Sequence, residues 1–201
     1  TCDVGGLFGI AHYGNQFENC SCSGDVEIYA AEEAVDAQEI GGIAGVWNNG
    51  GADVVFTNCT FTGTLKTNIA VDFYYGGLVG KPYSATGTGK LIIDGYEMVA
   101  NGVGMKDNKD YVVYNANGLA TLNAMMSNKT AGKNTVVNLN ADINFEGKTW
   151  TPVDSHADKA FSFKELNGNG HTIYNLTING QAMFTRFAGS GDVTVKDVTF
   201  D

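Results

Sequence analysis

A repeat constrains this chain more than any other feature. Gly5-Gly6-Leu7-Phe8-Gly9, Gly41-Gly42-Ile43-Ala44-Gly45 and Gly76-Gly77-Leu78-Val79-Gly80 share one pattern, at spacings of 36 and 35 residues. A second pattern, apolar-x-Asn/Asp-apolar-Ser/Thr-apolar, recurs beside it. Its copies are Phe17-Glu18-Asn19-Cys20-Ser21-Cys22, Phe56-Thr57-Asn58-Cys59-Thr60-Phe61, Ile173-Tyr174-Asn175-Leu176-Thr177-Ile178 and Val195-Lys196-Asp197-Val198-Thr199-Phe200. A degraded copy sits at Ile92-Ile93-Asp94-Gly95. Fixed-period self-similarity of this length is the signature of a repeat architecture.

The second pattern reads as two short strands joined by a bend. Side chains alternate along a strand, so Ile173 faces inward and Tyr174 outward. Asn175 breaks the alternation, because the next apolar pair is Leu176 and Ile178. Asn and Asp tolerate left-handed backbone better than other non-glycine residues. The bends are therefore expected at Asn19, Asn58, Asp94, Asn175 and Asp197. The 22-residue step between the last two copies fits one turn of a parallel β-solenoid; the 35–39-residue steps fit a turn plus a protruding loop. The expected fold is all-β, a right-handed parallel β-helix. Residues 1–104 form its Gly-Gly rungs, and 105–201 form a helix-capped lead-in with the first rungs of a second module. In that second part Leu119, Leu122 and Met126 recur at helical spacing, which predicts a short capping helix near 117–127 with Asn117 as its N-cap. Val137, Leu139, Ala141, Ile143 and Phe145 alternate as one long strand.

Composition narrows the function classes. The formal charge is −10, from 12 Lys+Arg against 22 Asp+Glu, and Arg186 is the one arginine. A phosphate-backbone binder needs clustered Lys and Arg, so no nucleic-acid partner is expected. No run approaches the ~18 apolar residues that span a membrane as a helix. The opening Thr1-Cys2-Asp3-Val4 reads as a mature form or an excised piece.

Asn138–Ile143, Thr149-Trp150-Thr151-Pro152-Val153 and Leu166-Asn167-Gly168-Asn169-Gly170-His171-Thr172-Ile173 resemble the opening of pectate-lyase-like right-handed β-helix modules. These occur in large secreted or surface proteins of gut bacteria. The Gly-Gly-aliphatic-x-Gly copies are similar to the GLUG motif of the same proteins. The resemblance implies an extracellular or cell-surface β-solenoid with adhesin-like or uncharacterised roles, and no defined activity. In that family the helix and Trp-Thr-Pro lead and the Gly-Gly rungs follow; here the order is reversed. Ends with incompletely capped strand edges invite head-to-tail self-association.

Chemistry-bearing residues are sparse. Cys20 and Cys59 share a repeat slot and Cys22 matches Phe61, so these read as buried thiols, with a disulfide between neighbouring rungs at ~4.8 Å spacing as the alternative. Cys20-x-Cys22 lacks metal-knuckle spacing, and no metal or cofactor is expected. His12, His156 and His171 are scattered. A polysaccharide lyase needs a basic proton abstractor and acidic Ca²⁺ ligands; a hydrolase needs two facing carboxylates. Arg186 and Asp94, Asp142, Asp154, Asp158 and Asp192 are the available groups, without a recurring cluster. Aromatic rings stack on sugar faces at low entropic cost. Tyr13, Trp47, Tyr74, Tyr75 and Tyr83 lie at or beyond the ends of the Gly-Gly strands and are the candidate ligand-binding edge. Trp150 is expected in the core. The expected function is non-catalytic adhesion, with host or bacterial glycans or surface proteins as partners. A lyase or hydrolase, or a structural spacer, is the alternative.

Overall fold

A computed structural model describes residues 3–29, 39–68, 74–82, 87–127, 135–150, 163–178, 182–183 and 192–201. The chain is all-β with a single α-helix among the described residues, and no sheet there closes into a barrel. It divides into two compact units, Thr1–Met98 and Val99–Asp201.

Unit 1 begins with β1 (Asp3–Gly5), β2 (Phe8–Ala11), β3 (Gln16–Glu18), β4 (Ser21–Cys22) and β5 (Val26–Ile28). A second set follows: β6 (Glu39–Gly41), β7 (Ala44–Trp47), β8 (Val54–Thr57), β9 (Thr60–Phe61) and β10 (Leu65–Thr67). Each strand of the first set pairs in parallel with its counterpart in the second. The registers set Gly5 opposite Gly41, Ile10 opposite Val46, Phe17 opposite Phe56, Ser21 opposite Thr60 and Val26 opposite Leu65. Bridges from Ala44 to Val79 and from Trp47 to Pro82 continue the order into the third Gly-Gly copy.

The two glycines of the motif serve different needs. A Cβ on Gly41 would strike the Ala44 carbonyl and the Gly80 amide, so the corner backbone itself excludes a side chain. A Cβ on Gly42 would enter the Phe61 ring, which fills that space from β9. The third copy is built differently. Tyr75, Gly76 and Gly77 run through left-handed backbone, with φ of 49°, 65° and 80°, as a short 3₁₀ turn.

The pairing is mixed rather than wholly parallel. β11 (Leu91–Ile93) lies parallel to β8, yet it pairs antiparallel with β12 (Tyr96–Ala100). Asp94 does take left-handed backbone, at φ 50°, but with Gly95 at φ 81° it closes a two-residue hairpin instead of bending a parallel coil. Two consecutive positive φ values suit such a tight reversal.

Unit 2 opens on a second hairpin, β13 (Val103–Lys106) with β14 (Asp110–Val113), turned through Asp107 and Asn108 at φ 54° and 55°. Helix α1 (Ala116–Ser127) follows. Its Ala116, Leu119, Leu122 and Met126 are buried as the spacing predicts. Its cap is Asn115 rather than Asn117: the Asn115 Oδ1 accepts the Gly118 amide at 2.8 Å, while the Asn117 Oδ1 accepts from the Lys148 Nζ at 3.0 Å. The remaining strands are β15 (Thr135–Leu139), β16 (Ile143–Asn144), β17 (Thr149–Trp150), β18 (Phe163–Asn167), β19 (Thr172–Tyr174), β20 (Thr177–Ile178), β21 (Thr194–Lys196) and β22 (Thr199–Phe200). The expected long strand over 137–145 is broken. β15 ends at Leu139, and Ile143 opens β16 in a different parallel row. Val137, Leu139, Ile143 and Phe145 are nonetheless all buried.

The parallel rows run β14–β15–β18–β21, β16–β19–β22 and β17–β20. Leu166 lies opposite Val195, and Ile173 lies between Ile143 and Phe200. The expectation that 173–178 and 195–200 stack on one another as successive turns is therefore overturned. β22 pairs with β19 and β21 with β18, one strand out of step with the motif. One continuous core of Tyr111, Leu122, Val137, Trp150, Leu166, Ile173 and their neighbours supports these rows. Trp150 donates its indole N–H to the Met183 carbonyl at 2.8 Å and packs edge-on against Phe145.

Candidate functional site

The bend motif has the same local form wherever it occurs. Asn19, Asn58, Asn175 and Asp197 have φ of 54°, 49°, 55° and 53°, and each stands in a two-residue link between paired strands. All four side chains are exposed. In unit 1 the bends form a ladder. The Asn58 Nδ2 donates to the Asn19 Oδ1 at 2.6 Å, and the Asn58 amide donates to the Asp94 Oδ1 at 2.7 Å. In unit 2 the Asn175 Nδ2 donates to the Asn144 Oδ1 at 2.9 Å, while the Asp197 carbonyl accepts the Gly170 amide.

The candidate aromatic edge separates into unlike environments. Tyr13 is 47% exposed, on the turn after β2. That turn is stapled: the His12 amide donates to the Asn15 Oδ1 at 2.9 Å and the Asn15 amide to the His12 carbonyl at 3.1 Å. The Gly14 amide ties it to the Asp53 carbonyl at 2.9 Å. The Tyr13 ring packs beside His12, centroid to centroid 4.5 Å, and lies over Gly50, where a side chain would enter the ring. Gly50 is itself held by its amide donating to the Asn48 Oδ1 at 3.1 Å. A tyrosine so fixed loses little freedom on binding.

Trp47 and Tyr75 do not join it. Trp47 is 6% exposed at the end of β7, between Ala11 and Pro82, and Tyr75 is 4% exposed. Neither presents a ring face to solvent, which corrects their reading as surface ligands. The cause is the sheet order. The end of β7 lies between Ala11 of β2 and Pro82, and Tyr75 sits in a left-handed turn with Gly76 and Gly77. Burial pushes the Tyr75 hydroxyl up. Tyr74 is half-buried, its ring 5.7 Å from Tyr75. Tyr83 lies outside the described residues, as do Arg186, His156, Asp154 and Asp158.

The cysteines are thiols among the described residues. Cys59 is buried, and Cys20 and Cys22 are half-buried. Burial pushes the Cys59 thiol up. Cys59 and Cys20 each donate weakly to backbone carbonyls at 3.4–3.5 Å. Asp142 accepts from the Thr172 amide at 2.9 Å and lies 3.2 Å from the His171 Nδ1, which ties that carboxylate into the turn.

One charged group is missed by sequence reasoning. Glu39, 8% exposed on β6, sits opposite Asp3 on β1 and contacts the Lys81 Nζ at 2.7 Å. Burial raises its carboxyl above the usual range, and the Asp3 carboxyl adds to that rise against the lowering by Lys81. Elsewhere Lys66 bridges Asp25 and Glu27 at 2.6 and 2.8 Å on the exposed flank of β10, and holds the Asp25 carboxyl low. Comparison with protein-family models, curated proteins and solved structures finds no match to this chain.

Proposed function

We propose that the chain is a module of a secreted or cell-surface protein, wound as a right-handed parallel β-helix. In this reading it works in adhesion, holding a glycan or protein ligand without catalysis. The order of parallel pairs, β1 to β5 on β6 to β10 and β15 to β17 on β18 to β20, supports the winding. The resemblance of the Gly-Gly and Asn-Gly-Asn-Gly-His motifs points the same way. The binding role rests on one observation. Tyr13 is half exposed, yet it is pinned by His12, by Gly50 and by a turn closed through Asn15. Such a ring is a preorganised face for a sugar or an apolar side chain.

A glycan array followed by titration tests this. Tyr13→Ala is expected to weaken binding at least about tenfold, as loss of a stacking contact does, while Tyr13→Phe retains it. Binding that survives Tyr13→Ala unchanged overturns the site. The burial of Trp47 and Tyr75 favours a second reading, a structural spacer, because among the described residues it leaves Tyr13 and Tyr74 of the aromatic edge. Absence of any glycan or surface-protein ligand up to ~1 mM would leave the spacer as the function.

A further inference from the structure

We propose that Cys20 and Cys59 form a reversible disulfide that cross-links the first two copies of the bend motif. The pairing follows from the register between the two strand sets of unit 1. It is independent of the adhesion reading and of what lies beyond either set.

The two cysteines occupy one slot. Ser21 faces Thr60 and Cys22 faces Phe61. On the other side of the slot the Asn58 Nδ2 donates to the Asn19 Oδ1, and the Thr60 amide donates to the Cys20 carbonyl. Cys20 therefore faces Cys59. Each follows an asparagine in left-handed backbone, at φ 54° and 49°, so the two side chains leave their links in the same direction. The sulfurs gather at neighbouring carbonyls. The Cys59 Sγ reaches across to the first strand set and donates to the Phe17 carbonyl at 3.5 Å, while the Cys20 Sγ donates to the Glu18 carbonyl at 3.5 Å. Burial raises the Cys59 thiol most, and a Cys20 thiolate beside it adds to that rise. Cys22 has a different neighbour: its Sγ fills the space that a side chain on Gly6 would need.

Facing residues on neighbouring strands stand ~4.8 Å apart, within the ~4.4–6.8 Å that a disulfide spans between Cα atoms. Parallel Cβ atoms at that separation close by roughly 1 Å to reach the ~3.8 Å of a relaxed bridge. Both cysteines stand in two-residue links rather than inside a strand, where a shift of that size leaves the strand registers intact. The closed bridge keeps part of the strain, and a strained disulfide is readily reduced.

The oxidant is a small disulfide. The Cys20 thiolate attacks one of its sulfurs, and the first thiolate leaves and takes up a proton. Cys59 then gives its proton to solvent and attacks the Cys20 Sγ, which expels the second thiolate, itself protonated by solvent. Two protein S–H bonds become one S–S bond, and the small disulfide is reduced to two thiols. Cys59 is the resolving group because its thiol is buried and held protonated. The bridge closes a loop of about 40 residues, which restricts the unfolded chain.

Treatment of the folded chain with oxidised glutathione, then alkylation, cleavage after acidic residues and tandem mass spectrometry without reduction, tests this. Cleavage after Glu27 and Glu39 separates the two cysteines. A peptide pair linked through Cys20 and Cys59 is expected, with an unfolding midpoint about 5–15 °C above that of the reduced protein. Excess reduced glutathione is expected to open the link. Cys2→Ser/Cys22→Ser should keep both the link and the shift, and Cys59→Ala should lose both. Where a substitution unfolds the chain, the wild-type peptide map decides. Free thiols at both positions after oxidation, linkage of either to another cysteine in the folded chain, a link that forms only in denaturant, an unshifted midpoint, or a link that reduced glutathione leaves closed would each overturn the proposal.

Discussion

In unit 1 the sequence repeat and the structural repeat coincide; in unit 2 they do not. Phe17 lies on Phe56 and Ser21 on Thr60, so one copy of the bend motif covers the next. In unit 2 the copies at 173–178 and 195–200 have the same left-handed bend but lie one strand out of step. The motif is thus an instruction about local backbone, carried by one Asn or Asp that accepts positive φ. Which strand becomes the neighbour is decided elsewhere. In unit 1 it is decided by Gly-Gly corners that admit only one close approach, and in unit 2 by a continuous apolar core around Trp150.

The largest expected effect separates those two devices. Gly42→Val puts a branched side chain into the space of the Phe61 ring. It should cost about 3 kcal/mol, at the upper end for overpacking. Hydrogen exchange should rise in β6, β7 and β9 while β15 and β18 keep their protection. An equal loss of protection in unit 2 would break the distinction between a glycine-directed and a core-directed register.

A middle-sized effect tests whether the bend is local. Asn58→Ala puts a residue without asparagine's tolerance into left-handed backbone, and it also removes the Asn58 Nδ2 bond to Asn19. Relative to glycine at the same position, the alanine strain is about 1–2 kcal/mol. Asn58→Gly relieves the strain but not the lost bond, so its denaturation midpoint should fall between wild type and Asn58→Ala. The same pair at Asn175 should order identically. If alanine and glycine are equivalent at either position, the backbone account of the motif fails there.

These contrasts explain what could be read from the residues alone. The left-handed bends were legible because Asn and Asp stand where the alternation breaks. The register of Gly5 on Gly41 and the buried face of Leu119, Leu122 and Met126 were legible because spacing determines them. The hairpins were not, since Asp94-Gly95 resembles the bend motif and only the following strand reveals the reversal. The break at Asn140–Asp142 was hidden because apolar alternation continues in phase across it. Asn115 and Asn117 are both competent caps two residues apart, and only the start of the helix at Ala116 shows that Asn115 is the one that caps it. Of the candidate aromatic edge, Tyr13 could be anticipated as exposed. The burial of Trp47 and Tyr75 depends on sheet order and on a left-handed turn that a Tyr-Gly-Gly string does not announce.

The smallest expected effect compares a buried ion pair with an exposed one. Glu39 in unit 1 is 8% exposed against Lys81, whereas the 2.8 Å contact of Glu165 with Lys196 in unit 2 is more open to water. The Glu39 carboxyl is raised on folding, because burial and the Asp3 carboxyl outweigh Lys81. A carboxyl raised in the folded state contributes its full stability below its unfolded value, and that contribution is lost as pH rises through the folded value. Glu39→Gln removes the charge at every pH. Its stability relative to wild type should therefore be near zero at about pH 4 and positive at pH 7. Lys196→Met, which removes an exposed partner, should leave the denaturation midpoint almost unchanged at both pH values. Denaturant unfolding at the two pH values reads both. If Glu39→Gln destabilises at pH 7, the Lys81 contact outweighs the cost of burying the charge, and the sign of the contrast between the two ion pairs is reversed.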